Sequence, residues 1–216
     1  MFFNIRYTFK ALKLAFSSFL TRYISRPAPW GALGPGAHVH KPSIVSGRQN
    51  IYLGRNVNID WNNVLYATKG RFVMGDDSGA AGGLTVVTDN HRVEIGHKIH
   101  DGGNENLEAG EVIVEESVWL AANVTLLSGT HIGRGAIIGA GTVLRSCKVP
   151  PYAIVVGNPG KVIGFRYTPD DIIAHEQQLY PEEKRISREV LEKNYQKYFR
   201  SKVKDIAAFV KLTNNN

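Results

Sequence analysis

The sequence predicts a mainly β protein built as a parallel β-helix, and three observations lead to this fold class. An aliphatic residue, or once a proline, occupies every sixth position of one long segment: Val114, Leu120, Leu126, Ile132, Ile138, Leu144, Pro150, Val156 and Val162. Most of these are followed four residues later by a small or β-branched residue: Val118, Val124, Thr130, Ala136, Thr142 and Ile154. An earlier block repeats the spacing at Val39, Val45, Ile51 and Val57. Neither an α-helix nor an alternating strand has a period of six, whereas solenoids with short repeats do.

The six-residue period also predicts the geometry of one turn of the solenoid. Three sides of six residues make a triangular coil of about 18 residues, with the aliphatic residue pointing inward and the small residue near a corner. Successive coils stack at the strand spacing of about 4.8 Å, which satisfies the backbone hydrogen bonds between them. The repeats from Val114 onward supply roughly three coils, and the earlier block supplies about three or four more.

Composition and charge restrict the function. The 216 residues carry a formal charge of +7, and eight Lys or Arg residues but no Asp or Glu precede Asp60. A basic surface suits anionic lipid or a phosphorylated small molecule, and the aromatic and arginine pattern of a nucleic-acid module is absent, so we expect no nucleic-acid partner. Cys147 is the only cysteine, which excludes an intrachain disulfide and favours a cytoplasmic location. No stretch approaches the ~20 apolar residues of a membrane span.

Residues 1–36 are predicted to form an N-terminal helix and linker. Within 2–25, apolar residues recur at steps of three and four: Phe2, Ile5, Phe9, Leu12, Phe16, Phe19 and Tyr23. Basic side chains occupy other faces of this helix, and Pro27 and Pro29 end it. Two placements remain open, because such a helix either packs on the solenoid or a neighbouring subunit, or lies on the inner face of an anionic membrane as a peripheral contact.

The β-helix domain is predicted to span 37–165, with a break in the six-residue period between 60 and 111. Its polar loop excursion, at about 89–111, is expected on the binding face, where solenoid insertions emerge. Residues 166–216 are predicted to be a helical extension that caps the solenoid or braces an oligomer. A first helix starts at Thr168-Pro169-Asp170-Asp171, a short segment follows Pro181, Ser187 caps a helix near 188–200, and a last helix lies near 203–211.

Several motifs in the same order resemble those of the hexapeptide-repeat acyltransferase superfamily. The segments IGRGAIIGAGTV and VPPYAIVVGNPGKVI are typical of that superfamily, and TVVTDNH and SVWLAANVTLLSGTHIG resemble its galactoside, maltose and capsular-sugar O-acetyltransferases. The resemblance covers about 37–165. It implies a left-handed parallel β-helix, acetyl-CoA as co-substrate without a metal, and a homotrimer with active sites between subunits. The implied acceptor is a sugar hydroxyl, of a surface polysaccharide or its precursor.

The resemblance implies a role for each candidate site residue. His91 corresponds to the catalytic base, and an imidazole is suited to removing a proton from a hydroxyl near neutral pH. Arg92 follows where Pro or Asp is commoner, which leaves the identity of the acceptor open. The coenzyme A side comprises Trp119, Ala122, Ala140, Arg145, Lys148 and Lys161. The candidates for acceptor binding are Asp60, Asn63, Asp89 and Asn90.

Other functions compete with O-acetylation. A zinc site needs three convergent histidines, but His91, His97 and His100 share one loop, and His131 has no histidine one coil away. A serine acetyltransferase would need a longer helical domain before the repeats. N-acetylation of an amino sugar, acetylation of an antibiotic, and a non-catalytic binding solenoid stay open. We expect direct transfer to the acceptor without an acyl-enzyme on Cys147, which lies far from His91 in the sequence.

Overall fold

The computed structural model describes residues 12, 13, 16 and 29–198, and its main body is a parallel β-helix of about six turns. Face A contains β1 (Ala32–Leu33), β4 (Ile51–Leu53), β7 (Arg71–Met74), β12 (Glu111–Val114), β15 (Thr130–Ile132) and β18 (Lys148–Val149). Face B contains β2 (His38–Val39), β5 (Asn58–Ile59), β8 (Gly79–Ala80), β13 (Trp119–Leu120), β16 (Ile137–Ile138), β19 (Ala153–Val156) and the antiparallel β20 (Lys161–Phe165). Face C contains β3 (Ser43–Ser46), β6 (Asn63–Tyr66), β9 (Thr85–Val87), β14 (Thr125–Leu127) and β17 (Val143–Leu144). The predicted left-handed parallel β-helix is confirmed.

Each coil uses one strand from every face. Coils 1, 2 and 3 are β1–β3, β4–β6 and β7–β9, and coils 4, 5 and 6 are β12–β14, β15–β17 and β18–β19. Trp119 pairs with Ile137 one coil along, and its N–H donates to the Ala136 carbonyl at 3.0 Å. Backbone groups are therefore satisfied between coils, and each coil contacts mainly its two neighbours.

The inward series follows the predicted period until the last coil. Leu120, Leu126, Ile132 and Ile138 are fully buried. Val156, however, is 37% exposed. The reason is that Ile137 pairs with Ile154, an offset of 17 residues, so Val155 takes the inward position. The prediction that Val156 continues the inward series is wrong.

The break in the period is shorter than the 60–111 range predicted. Coil 3 is regular, with Met74, Ala80 and Val86 buried at six-residue steps. The period is hard to read there because coil 2 to coil 3 spans 21 residues, from Ile51 to Phe72. Phe72 then pairs directly with Val112 across the insertion. The excursion is thus a side structure between coils 3 and 4, namely an antiparallel hairpin of β10 (Asp89–His91) and β11 (Leu107–Ala109) with a 3-10 turn at Gly103–Asn106.

The chain beyond the solenoid forms a pair of helices. Helix α1 (Pro169–Leu179) begins after Thr168, whose hydroxyl accepts a hydrogen bond from the Asp171 N–H at 3.2 Å, as the start signal predicts. A 3-10 turn at Glu182–Lys184 precedes a helix whose described part is 188–198. The predicted helix at 203–211, and most of the one at 2–25, lie outside the described residues. Within the described part of the chain, no helix has both the length and the apolar character needed to cross a membrane.

A buried ionic cluster joins α1 to the end of the solenoid. Glu176 is only 1% exposed, and its carboxylate accepts hydrogen bonds from the Tyr152 hydroxyl at 2.8 Å and the Ile186 N–H at 2.8 Å. Arg134 donates to both oxygens of Glu176 at 3.1 and 3.0 Å. Burial, reinforced by Glu176, raises the pKa of Tyr152, so its hydroxyl stays a neutral donor. We call Arg134, Tyr152 and Glu176 the C-terminal clamp.

Candidate active site

The corner between faces B and C presents an open edge of small residues. Ala122 and Ala140 lie at this B–C corner in coils 4 and 5, and the Gly141 N–H donates to the Ala122 carbonyl at 2.9 Å. The two alanines are therefore stacked, and Ala140 is exposed. Trp119 stands beside them on face B, with 47% of its surface exposed. Small side chains let an extended ligand approach the backbone along this edge, and the indole offers a flat apolar wall.

His91 lies at a different corner of the solenoid. It ends β10, opposite Leu107, where the excursion leaves face C on its way to face A. Its ring packs edge-on against His100, with 4.8 Å between ring centroids and an interplanar angle of 78°. Its Nδ1 is buried and has no hydrogen-bond partner among the described residues. Because an unpaired buried nitrogen is costly, we expect a partner from a substrate or a second chain.

Asp89 supports the base of the excursion. Its carboxylate accepts hydrogen bonds from the N–H groups of Thr68 at 2.7 Å and Gly70 at 2.5 Å, and from the Lys69 N–H at 3.2 Å. The Thr88 hydroxyl also donates to it at 3.2 Å. These hydrogen bonds make Asp89 part of the solenoid wall, and its predicted contact with the acceptor stays a prediction. Asn90, next in the strand, is exposed and remains available.

Asn63 is likewise part of the wall. It is buried, its amide donates to the Ser43 hydroxyl at 3.1 Å and to the Asp60 carbonyl, and its oxygen accepts the Leu84 N–H at 2.9 Å. These bonds join three successive coils, so Asn63 has a structural role here, and an acceptor contact by Asn63 stays a prediction. Asp60 itself is half-buried at the B–C corner, and its carboxylate accepts a hydrogen bond from the Asn58 amide at 3.0 Å.

The three predicted phosphate-binding cations belong to the last part of the solenoid but to different sides of it. Arg145 is exposed at the corner between faces C and A, whereas Lys161 begins β20 beside Val156 on face B. Lys148 points from face A into a shallow groove that also contains Glu115 and His131. Within one chain, the three cations therefore do not line one groove. The six-residue period predicts the height of these residues along the solenoid axis but not the face of the solenoid on which each one lies.

Two further side chains border these positions without having been selected as site residues from the sequence. His100 contacts the His91 ring. Trp61 follows Asp60 at the B–C corner and is 54% exposed. In the sequence, a tryptophan within the polar turn at 60–63 is the signal that could have identified Trp61.

Metal ligation has little basis in the described residues, which contain no group of three His, Cys, Asp or Glu side chains able to hold an ion. His131, considered above for zinc, instead pairs with Glu115 through an Nε2–Oε1 distance of 2.7 Å.

Comparisons with known proteins agree on the repeat. Residues 111–146 match the family model described as bacterial transferase hexapeptide (six repeats). A Staphylococcus aureus (strain COL) protein named as an acetyltransferase is 32% identical over 115 residues, which are 53% of this chain and 54% of that protein. A lipopolysaccharide biosynthesis O-acetyl transferase, as named in Escherichia coli K12, is 42% identical over 57 residues, or 26% of this chain and 29% of that protein. The chain spans about half the length of the first of these relatives.

Solved structures share the fold. A galactoside acetyltransferase in complex with coenzyme A superposes with a TM-score of 0.58 at 20% identity, over 86% of this chain and 93% of the other. A Vibrio cholerae hexapeptide-repeat acetyltransferase complexed with acetyl-CoA gives 0.57 at 22% identity, over 64% and 72%. A maltose O-acetyltransferase from Clostridium difficile gives 0.54 at 24% identity, over 63% and 70%. These solved structures confirm the parallel β-helix fold, and the family-model match over residues 111–146 confirms the hexapeptide repeat.

Proposed function

We propose that this chain, whose residues 111–146 are bacterial transferase hexapeptide repeats, is an acetyl-CoA-dependent O-acetyltransferase that acts on a sugar hydroxyl. The observation that carries the proposal is the order of groups along the solenoid axis. The His91 imidazole emerges between coils 3 and 4, and the open edge of Trp119, Ala122 and Ala140 begins at that level and runs toward the C-terminal end. Acetyl-CoA bound along the open edge and the His91 base would therefore lie at the same height along the solenoid axis.

The open edge suits the donor. The amides of the pantetheine arm can bond backbone groups that Ala122 and Ala140 leave uncovered. Lys161 and Arg145, farther along the axis, supply positive charge for the phosphates of coenzyme A, and Arg binds phosphate through two parallel hydrogen bonds. Since these cations lie on different sides of one chain, we propose that two copies clasp one donor molecule.

A homotrimer would complete the site. His91 is at the corner between faces C and A, whereas Trp119 and Ala122 flank the B–C corner, so face C separates them in one chain. Face C also exposes apolar side chains, with Ile44 at 59% and Tyr66 at 41% exposure. Three copies related by a threefold axis parallel to the solenoids would bury this face and bring His91 of one copy to the B–C edge of the next at the same height.

In the proposed reaction, His91 removes the proton from the acceptor hydroxyl, and the resulting oxygen nucleophile attacks the thioester carbonyl carbon directly. A backbone N–H group of the open edge stabilises the oxyanion of the tetrahedral intermediate. When the carbon–sulfur bond breaks, protonated His91 returns its proton to the leaving thiolate. Free coenzyme A and the O-acetyl ester are the products, and no residue of the chain is acylated.

The test is release of free thiol from acetyl-CoA in the presence of an acceptor panel. Mono- and oligosaccharides of glucose, galactose and N-acetylglucosamine would be compared with glucosamine and chloramphenicol, and mass spectrometry would locate the acetyl group. Turnover only with the amine would assign N-acetylation, and turnover only with chloramphenicol would assign a xenobiotic acceptor. If none of these compounds stimulates thiol release, the proposal is contradicted.

Because acetyl-CoA is a cytoplasmic metabolite, we propose a cytoplasmic location, with the predicted helix at 2–25 as the candidate peripheral membrane contact. The full chain should float with vesicles containing anionic lipid and remain at the bottom of the gradient with neutral vesicles.

The open edge predicts the effect of a larger side chain. Ala140→Leu should raise the KM for acetyl-CoA on the order of 10-fold, because the isobutyl group would stand where the pantetheine arm lies. Ala140 is exposed, so folding should tolerate the change. Ala32→Leu, at another exposed position on face A of coil 1, is the matched control. Equal KM values for the two variants would contradict the donor edge.

Direct transfer predicts that Cys147 is dispensable. Burial raises the pKa of its thiol, which keeps it protonated and a poor nucleophile at neutral pH. Cys147→Ala should therefore keep kcat within about 2-fold of the original enzyme, and the thiol of the folded protein should react slowly with iodoacetamide. A folded but inactive Cys147→Ala variant would instead indicate an acyl-enzyme.

A further inference from the structure

Two tryptophans from different coils flank the same stretch of small residues. On the B–C side of coil 3, residues 78–83 read SGAAGG. The Trp119 indole, from coil 4, covers Gly79, where an added Cβ would lie 3.1 Å from its Cε3 and Cζ3 atoms. The Trp61 indole, from coil 2, borders Gly82, where an added Cβ would lie 3.6 Å from Nε1. We call Trp61, Gly79, Gly82 and Trp119 the tryptophan cleft; both indoles are about half exposed.

A fixed row of polar groups lines the Trp61 end of the cleft. His40 Nε2 lies 3.1 Å from the Asn58 amide oxygen, and the Asn58 amide nitrogen donates to the Asp60 carboxylate at 3.0 Å. The His40 ring meets Trp61 edge-on, with 6.4 Å between centroids. Hydrogen bonds join each of these side chains to the next, so the row is pre-organised. Its remaining hydrogen-bond donors and acceptors can pair with a ligand.

This combination matches the two faces of a sugar ring. A pyranose presents an apolar C–H surface that packs on an indole and an edge of hydroxyl groups that pair with amides, carboxylates and imidazoles. The anionic phosphates of coenzyme A fit poorly, because Asp60 adds negative charge to this end. The cations Arg145 and Lys161 lie at the opposite, C-terminal end of the solenoid. The donor, which runs along the open edge from Trp119 toward the C-terminal end, therefore leaves the Trp61 end of the cleft free.

The length of the cleft indicates the size of the acceptor. Trp61 and Trp119 belong to coils 2 and 4, and two strand spacings amount to about 10 Å. That span exceeds one pyranose ring. The proposed base is at the height of coils 3 and 4, so a sugar held beside Trp119 receives the acetyl group while the next sugar reaches Trp61.

We infer that the acceptor is a sugar within an oligosaccharide or polysaccharide, and that Trp61 is the platform on which the unit next to the acetylated one stacks. This inference rests on the proposed function and adds to it a second sugar-binding position, separate from the one beside Trp119. Trp61 is a specificity-determining residue, since it contacts a part of the acceptor away from the reacting hydroxyl.

The experiment compares Trp61→Ala with Tyr52→Ala, a half-exposed aromatic on face A of coil 2. Each is assayed with the best oligosaccharide of the panel and with its monosaccharide. Trp61→Ala should raise the KM for the oligosaccharide on the order of 10–50-fold, which is the loss of one stacked ring, with a much smaller change for the monosaccharide and for acetyl-CoA. Trp61→Phe should recover most of the loss, and Tyr52→Ala should resemble the original protein. An equal change for mono- and oligosaccharide overturns the inference.

Direct binding separates failure of this inference from failure of the proposed activity. The same oligosaccharides, added without acetyl-CoA, should perturb the tryptophan fluorescence of the original protein and of His91→Ala, and Trp61→Ala should need on the order of 10–50-fold more oligosaccharide for half of its change. If the oligosaccharides bind in this way but no acetyl transfer occurs, the proposed activity is rejected while the sugar-binding role of the tryptophan cleft stands. Transfer that proceeds without any Trp61-dependent binding would reject the cleft and keep the activity.

Discussion

Replacing His91 with alanine is expected to lower kcat on the order of 10²–10⁴-fold, the usual contribution of a positioned general base. The chain places this imidazole at the base of the excursion, half-buried and packed against His100, whereas the residues that follow it are exposed. A sugar hydroxyl is a weak nucleophile until its proton is taken, so the loss should fall on kcat rather than on the KM for acetyl-CoA.

His97→Ala is the matched control, because His97 is an exposed residue of the same excursion. Thiol release gives kcat, and thermal melting checks that both variants fold. His100→Ala should have an intermediate effect, since it removes only a ring that packs against the base. Turnover of His91→Ala equal to that of His97→Ala would remove His91 from the mechanism.

Glu176→Ala is expected to lower the free energy of unfolding by about 3–5 kcal/mol, the typical cost of breaking a buried ion pair. The substitution leaves the Arg134 guanidinium partly buried, with Glu116, at 2.9 Å, as its remaining charged partner among the described residues. It also removes the acceptor for the Tyr152 hydroxyl and the Ile186 N–H. The C-terminal clamp would then no longer hold α1 against the solenoid.

Urea denaturation followed by circular dichroism measures this loss, with Glu183→Ala in the exposed 3-10 turn as the control. Glu176→Gln should lie between the two, because the amide oxygen still accepts from Tyr152 while the charge opposite Arg134 is gone. A loss below about 1 kcal/mol in Glu176→Ala would mean that the clamp contributes little to the stability of the fold.

The solenoid could be predicted because its inward positions are equally spaced in sequence. One aliphatic residue per side is enough to fill the core, so Leu120 through Leu144 reveal the coil directly. The six-residue spacing fails to predict the inward positions where a coil changes length, because the amino-acid composition does not mark the change. The step from coil 5 to coil 6 is one residue shorter from its first strand onward, where Ile132 pairs with Val149, and the corner near Lys69 and Gly70 lengthens the step from coil 2 to coil 3.

The candidate site was less predictable because the same polar side chains can either bind a ligand or satisfy backbone groups of the solenoid. Asp89 and Asn63 have the chemistry that binds sugar hydroxyls, but the same oxygens and amides satisfy backbone groups of the wall. Only the fold shows which groups are already paired. Trp61 is the converse case: its turn reads as an ordinary loop, and its pairing with Trp119 across coil 3 depends on stacking that residue spacing alone does not reveal.

The direct pairing of Phe72 with Val112 has a consequence for how this protein can change. The excursion enters and leaves at neighbouring points of a ladder that is complete without it, so its length has little effect on the entropy of closing the loop. Doubling such a segment costs only about 0.6 kcal/mol. The solenoid can therefore keep its stability while insertions and deletions remodel the segment that carries the proposed base, so that a change of acceptor specificity there would cost the scaffold little stability.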